Sequence, residues 1–208
     1  MLIKFKDSNA FLLLLLLFSN CNSKPPKNNK QPPQTSPKIQ PLTIAIQPLG
    51  NISESYCIDT YTELKEIVPN VVLAKRMSMP SKAYYAPRKR YRADSLIHWL
   101  SERTKPNQVF VGITMQDIST KKGNVEDYGV MGLGYCPGNA CIVSSFRLKN
   151  KPSFFKVVVH ELGHTTGLPH CPVKTCFMRD AEGGNPTAEE KEFCSKCKDH
   201  LIKNGWHL

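Results

Sequence analysis

The sequence predicts an α/β domain with a mixed, mostly parallel, twisted sheet. From residue 42 onward, predicted strands alternate with predicted helices, the order that is typical of parallel sheets joined by helical connections. The run VFVGITM, residues 109–115, is apolar almost throughout, as expected of a strand that is covered on both faces. Of the 208 residues, 40% are hydrophobic, which is enough for the core of one domain.

Four predicted elements precede this apolar run. Residues 42–49 (LTIAIQPL) alternate in polarity and include β-branched side chains, so they predict a first strand. Residues 53–68 carry apolar side chains at helical spacing behind a serine that can cap a helix, so they predict a first helix. Residues 71–77 predict a second strand, and the apolar pattern of residues 93–103 predicts a second helix.

Four further elements follow the apolar run. Residues 130–133 and 141–146 predict two short strands on either side of the turn sequence CPGN. Residues 154–166 predict a helix. The sequence TAEE, which begins at Thr187, has the pattern of a capping box and predicts a last helix that runs to about Lys203.

The first 41 residues are predicted to lie outside this domain. A basic start and a leucine-rich run precede Cys21, an arrangement that resembles a bacterial lipoprotein signal. We therefore expect a signal peptide (1–20), a Pro-rich tether (21–41) and a folded domain (42–208), with lipid attached to Cys21. The expected location is the bacterial cell envelope, where acyl chains hold the protein on a membrane surface. Secretion or a periplasmic location is the alternative.

The formal net charge of +11 raises the question of a nucleic-acid partner. The basic residues are scattered, or they lie in the tether and around residues 88–92, instead of following one helix or strand. A solvated basic face is the simpler interpretation. We therefore predict no nucleic-acid partner.

The stretch HELGHTTGLPH has the spacing of a catalytic zinc site. His160 and His164 are four residues apart, so a helix places both imidazoles on one face, where they can share a zinc ion. Glu161 lies next to the first ligand and can take a proton from water. Gly167 can adopt the left-handed conformation that ends a helix, and the reversed chain then brings His170 back as a third ligand. The fourth position stays open, as in catalytic sites.

This stretch resembles the signature of the metzincin zinc peptidases, and the cysteines that follow it narrow the resemblance to the archaemetzincins. The resemblance implies a metzincin-like domain with an active-site helix and a small C-terminal cysteine subdomain. It also implies that the three histidines bind catalytic zinc, that Glu161 is the general base and that Met178 forms the floor under the metal. The ligands that it implies for a second, structural zinc are Cys171, Cys176, Cys194 and Cys197.

The eight cysteines leave alternatives open. A CxxC motif near a second pair of cysteines is typical of zinc sites, but in an exported protein the same four residues can form two disulfides. Cys136 and Cys141 flank the predicted turn, and we expect a disulfide between them. Cys57 is then left as a buried free thiol in the first helix.

Two functions from different classes are consistent with this sequence. The first is a zinc-dependent peptidase that hydrolyses peptide bonds with zinc-activated water and Glu161 as the general base. A peptide substrate would then pair with an edge strand at residues 140–146. The alternative is an exported, metal-dependent peptide-binding module or pseudoenzyme without turnover. Glu161 favours the peptidase, since a binding module needs no base, and we expect a monomer that acts on a peptide or protein.

Overall fold

The computed structural model describes residues 42–148 and 150–208. The predicted signal peptide, its lipid-attachment residue Cys21 and the tether lie outside the described residues. In the part of the chain that the model describes, no helix is both long and apolar enough to cross a bilayer. In chain order the strands and helices are β1 (Thr43–Leu49), α1 (Glu54–Ile67), β2 (Asn70–Leu73), β3 (Tyr84–Tyr85), β4 (Arg90–Arg92), α2 (Ala93–Ser101), β5 (Gln108–Thr114), β6 (Ile118–Lys122), β7 (Val125–Val130), β8 (Gly132–Gly134), β9 (Ala140–Ser144), α3 (Lys151–Thr165) and α4 (Ser195–Lys203).

Five strands form the central sheet in the order β2-β1-β5-β9-β8. Three neighbouring pairs are parallel, and only β8 and β9 at one end are antiparallel. This arrangement confirms the predicted α/β class with a mixed, mostly parallel sheet. Helices α1 and α3 contribute to the core on one face, and α2 contributes to the core on the other. The run at 109–115 is apolar because its strand, β5, lies between these two cores.

Four short strands form a second sheet in the order β3-β4-β6-β7. Its strands are only two to six residues long, and they carry charged side chains, so their pattern was too weak to predict this sheet. A cluster of partly buried charges holds it together, with Arg90 3.1 Å from Asp117. The predicted strand at 130–133 is divided between the sheets, because Val130 ends β7 and Gly132 begins β8.

The segment before α4 differs from its prediction. α4 begins at Ser195 and not at Thr187, and Pro186–Ala188 form only a single 3₁₀ turn. The backbone between them bonds to a distant loop, since the N–H of Lys191 donates to the carbonyl oxygen of Thr175 at 2.8 Å. These long-range hydrogen bonds replace the helical ones that the capping-box pattern predicted.

Candidate active site

Helix α3 presents His160 and His164 on one side. Its start is fixed by Asn150, whose side chain accepts a hydrogen bond from the N–H of Ser153 at 2.9 Å. The valines at 157–159 are buried and hold the helix against the sheet. The two histidine Nε2 atoms lie 3.1 Å apart. Two nitrogens on one tetrahedral zinc, each at about 2.1 Å, are separated by roughly 3.4 Å, so this pair fits a zinc ion.

The end of α3 turns the chain back as the sequence predicts. Gly167 has a φ of 93°, which only glycine adopts easily. Its N–H donates to the carbonyl oxygen of His164 at 2.8 Å, and the N–H of Leu168 donates to that of Gly163 at 3.3 Å. The reversed chain places the His170 ring 4.9 Å from the His164 ring, centroid to centroid. The predicted third histidine therefore lies beside the first two.

The Nδ1 atom of each histidine already has a partner. Nδ1 of His160 donates to the carbonyl oxygen of Phe177 at 2.6 Å. Nδ1 of His164 donates to the carbonyl oxygen of Leu168 at 2.7 Å. Nδ1 of His170 lies 3.2 Å from a carboxylate oxygen of Asp180. One ring nitrogen from each histidine is left for a metal, and the three ligand atoms lie within 4.8 Å of one another.

His160 and His164 are held in the form that binds metal. Burial, together with the neighbouring ring of His164, lowers the pKa of His160 to about 4. Burial also lowers the pKa of His164. Both imidazoles are therefore neutral at physiological pH, and a neutral imidazole is the metal ligand.

The side chain of Glu161 projects from α3 towards β8, and it lines the same cleft. Its side chain is buried, and this burial raises the pKa of Glu161 to about 8. A Cβ atom at Gly132 would lie 2.6 Å from Oε1 of Glu161. A Cβ atom at Gly134 would lie 2.8 Å from the backbone oxygen of Glu161. The strand can approach the helix this closely only because both positions are glycine.

Met178 lies beneath the active-site helix and is fully buried. A Cβ atom at Gly163 would lie 2.5 Å from its sulfur, so Met178 packs directly against the helix between the first two histidines. The predicted role of Met178 as the floor of the metal site requires such a contact.

The four C-terminal cysteines converge on one point. Sγ of Cys171 lies 3.7 Å from Sγ of Cys194, and the four sulfurs lie within 4.8 Å of one another. Four sulfurs at about 2.3 Å from a tetrahedral zinc are separated by roughly 3.8 Å, whereas bonded sulfurs are separated by about 2.05 Å. All four are free thiols, so the spacing fits a metal and not two disulfides. The predicted helix from Thr187 to about Lys203 included Cys194. Because α4 begins only at Ser195, Cys194 instead lies directly before it, at the N-cap position.

The predicted disulfide between Cys136 and Cys141 is wrong. Both are free thiols, and the residue opposite Cys141 across the β8–β9 pair is Gly134. Cys136 follows that position and is exposed, whereas Cys141 is fully buried. The prediction for Cys57 is confirmed, because this thiol is free and buried in α1.

A cleft of about 950 Å³ runs past the histidines and Glu161. β8 lines it, and β8 is the end strand of the central sheet. The predicted edge strand at 140–146 is wrong, because β9 pairs with β5 on one side and with β8 on the other. The free edge that faces the cleft is Gly132–Gly134.

Sequence reasoning assigned no role to several residues of this site: Gly132, Gly134, Asp180 and Glu190. The motif GLG on a short strand was a usable signal, since glycines in a strand indicate a close approach of another backbone. Asp180 and Glu190 reach the cleft through contacts that are distant in sequence, and no local pattern marks them.

Residues 52–203 match the model of a family described as Peptidase family M54. An archaemetzincin of Nanoarchaeum equitans is 34% identical over 146 residues, which cover 70% of this chain and 82% of the relative. The crystal structure of the Methanopyrus kandleri archaemetzincin superposes with a TM-score of 0.68 at 27% identity, covering 82% of this chain and 98% of that one. The Archaeoglobus fulgidus archaemetzincin, a complex with malonate, gives 0.63 at 25% identity, covering 76% of this chain and 99% of that one.

These relatives correct the predicted location. They are archaeal archaemetzincins, and nothing about them indicates a bacterial lipoprotein. The prediction of an exported, lipid-anchored protein of the bacterial cell envelope is therefore wrong. It depended on a short leucine run before Cys21, a pattern of low specificity.

The fold, the histidine motif and the relatives all indicate the same family. The archaemetzincin structures cover the described sheet and helices, and the family model spans both the histidine motif and the four cysteines. The chain therefore belongs to peptidase family M54, the archaemetzincins, and is a zinc metallopeptidase.

Proposed function

We propose that this chain hydrolyses peptide bonds with zinc bound by His160, His164 and His170 and with Glu161 as the general base. The observation that carries the proposal is the position of the Glu161 carboxyl. It lies in the wall of the cleft next to a metal-binding histidine, and burial alone accounts for its shifted pKa, with no hydrogen bond from a described residue. A carboxyl group without a protein partner is available to a water molecule in the cleft.

Each residue then has a defined task. A zinc ion at this site would supply Lewis acidity to the substrate carbonyl and to the attacking water. Burial alone raises the pKa of Glu161 to about 8, and the positive charge of a zinc ion beside it would lower that pKa and favour the carboxylate. The Glu161 carboxylate then accepts the proton of the attacking water and passes it to the nitrogen of the leaving amine. Asp180 orients the ring of His170 through Nδ1, and β8 shields the Glu161 carboxyl from bulk solvent.

We expect the substrate to bind as an extended strand along β8. The free edge of β8 offers backbone N–H and C=O groups beside Glu161, and a peptide can pair with them by adding one strand to the sheet. Backbone pairing holds the peptide independently of its amino-acid sequence. It also places a peptide bond close to the histidines.

We further propose a second zinc ion, bound by the four C-terminal cysteines. Their spacing, which fits a tetrahedral metal, supports this assignment. All seven proposed ligands come from one chain, which supports a monomer as the working unit.

The substitution Glu161→Gln tests the proposed base. It preserves the size of the side chain and removes its ability to accept a proton, so peptide hydrolysis should fall by a factor of about 10²–10⁴. Zinc content, measured by elemental analysis, should be unchanged. Glu66→Gln, an exposed change on α1, is the matched control and should keep full activity.

Two outcomes would contradict the proposal. Full hydrolysis by Glu161→Gln would show that another group acts as the base. A zinc-loaded wild-type protein that binds peptides but hydrolyses none of a broad library would instead favour the peptide-binding module.

A further inference from the structure

One lobe of the cleft lies beside α3, one helical turn before the first histidine. Lys156 is four residues before His160, so both side chains project from the same side of the helix. Thr187 and Glu190, which precede α4, line the same lobe, and their backbone carbonyl oxygens contact Lys156. A substrate side chain next to the cleaved bond can enter this lobe.

Glu190 in this lobe is a buried residue whose carboxyl oxygens have no hydrogen-bond partner among the described residues. It is 5% exposed, and it lines the cleft. Burial raises the pKa of Glu190 to about 7, although the charges of Lys156 and Arg179 act to lower it. The carboxyl oxygens are not among the fully buried polar atoms that lack a partner, so they open onto the cleft, where a ligand can donate a hydrogen bond to them.

Lys156 supplies the complementary group. Its Nζ atom donates to the carbonyl oxygens of Thr187 and Glu190, both at 2.6 Å, instead of pairing with the Glu190 carboxyl. An ammonium group has three donors, so one N–H remains. The lobe therefore presents one acceptor, the Glu190 carboxyl, and one donor, the remaining N–H of Lys156, whose position is fixed by two backbone carbonyls.

We propose that Glu190 is a specificity-determining residue, and that this lobe selects a substrate side chain that ends in an amide. This inference rests on the proposed peptidase function. The amide nitrogen of glutamine or asparagine donates to the Glu190 carboxyl, and the amide oxygen accepts from Lys156. An aliphatic side chain leaves both groups without partners. Above about pH 7, where Glu190 is ionised, a carboxylate side chain meets its like charge.

Binding measured in the hydrolysis-deficient Glu161→Gln background tests this inference without depending on turnover. The probes are peptides of one sequence in which glutamine, leucine or glutamate is placed at each position in turn. At about pH 8.5, where Glu190 is ionised, the glutamine peptide should bind at one position at least about tenfold more tightly than the leucine and glutamate peptides. Kinetics of the wild-type enzyme with the same peptides should give the same order of kcat/KM.

Two substitutions then assign the preference to Glu190. Adding Glu190→Leu should abolish the preference for glutamine over leucine. Adding Glu190→Gln should relieve the rejection of the glutamate peptide, because the new amide can donate to it. The matched control is Glu189→Gln, an exposed neighbour that pairs with Arg179, and it should keep the wild-type order. Thermal denaturation and zinc content verify that each variant is folded.

The inference is overturned if glutamine, leucine and glutamate peptides bind equally at every position, or if the folded Glu190→Leu variant keeps the preference for glutamine. Discrimination in binding without wild-type hydrolysis would support the lobe and contradict the peptidase proposal. Hydrolysis without discrimination would contradict the lobe alone. The two proposals therefore fail separately.

Discussion

Replacing Gly132 by alanine should separate catalysis from zinc binding. The added Cβ atom would lie 2.6 Å from both Cγ and Oε1 of Glu161. Non-bonded heavy atoms keep about 3.5 Å or more between them, so the Glu161 side chain has to move by roughly 1 Å. The histidines are held by their own Nδ1 hydrogen bonds and by α3, and none of these contacts involves Gly132.

The size of the effect follows from that displacement. A catalytic group displaced by about 1 Å loses on the order of 100-fold in rate. Overpacking of this kind also costs about 1–3 kcal/mol of stability, which most folded domains tolerate. We therefore expect kcat/KM to fall about 100-fold while the protein remains folded and loaded with zinc.

Peptide hydrolysis, elemental analysis and thermal denaturation measure the three quantities. The internal control is the same substitution in the Glu161→Gln background, where the carboxylate is already absent and Gly132→Ala should cause little further loss. An equal 100-fold loss in both backgrounds would show that β8 acts on the substrate and not through Glu161. Unchanged activity of the single variant would refute the reasoning altogether.

Two further predictions concern the cysteine cluster and Glu190. Cys176→Ser should release one zinc ion and lower the melting temperature by more than about 5 °C, whereas Cys136→Ser, an exposed thiol outside the cluster, should keep the metal content. The pKa of Glu190 is raised in the folded state, so its contribution to stability is present below about pH 4.5 and is lost as the pH rises through about 7. Glu190→Gln should therefore match the wild type near pH 4 and exceed it near pH 9 by up to about 3 kcal/mol in urea denaturation. An equal difference at both pH values would contradict this assignment.

The histidine motif could be predicted because its geometry is local. The helical period aligns His160 with His164, and Gly167 turns the chain back within three residues, so eleven residues define the whole ligand set. The order of predicted strands and helices likewise contained enough information for the mostly parallel sheet. Neither inference required knowledge of which distant segments meet.

The errors arose where distant segments compete. The edge strand was assigned to 140–146 because nothing local indicates that β9 is paired on both sides. The TAEE sequence favours a helix from Thr187, but the backbone of Lys191 bonds to Thr175 instead. Tertiary hydrogen bonds outweighed a local capping preference, which is worth only about 1 kcal/mol.

The loop at residues 170–178 contributes to both proposed metal sites. Cys171 follows His170 directly, and its N–H donates to the carbonyl oxygen of Met178 at 2.7 Å. The N–H of Met178 in turn donates to the sulfur of Cys176 at 3.5 Å. The cysteine cluster therefore fixes the segment that carries the third histidine and the methionine floor. Helix α3 places His160 and His164 side by side, and the Phe177 carbonyl of the same loop orients the His160 ring. The cluster therefore also supports His170, the one ligand that no helix or strand carries.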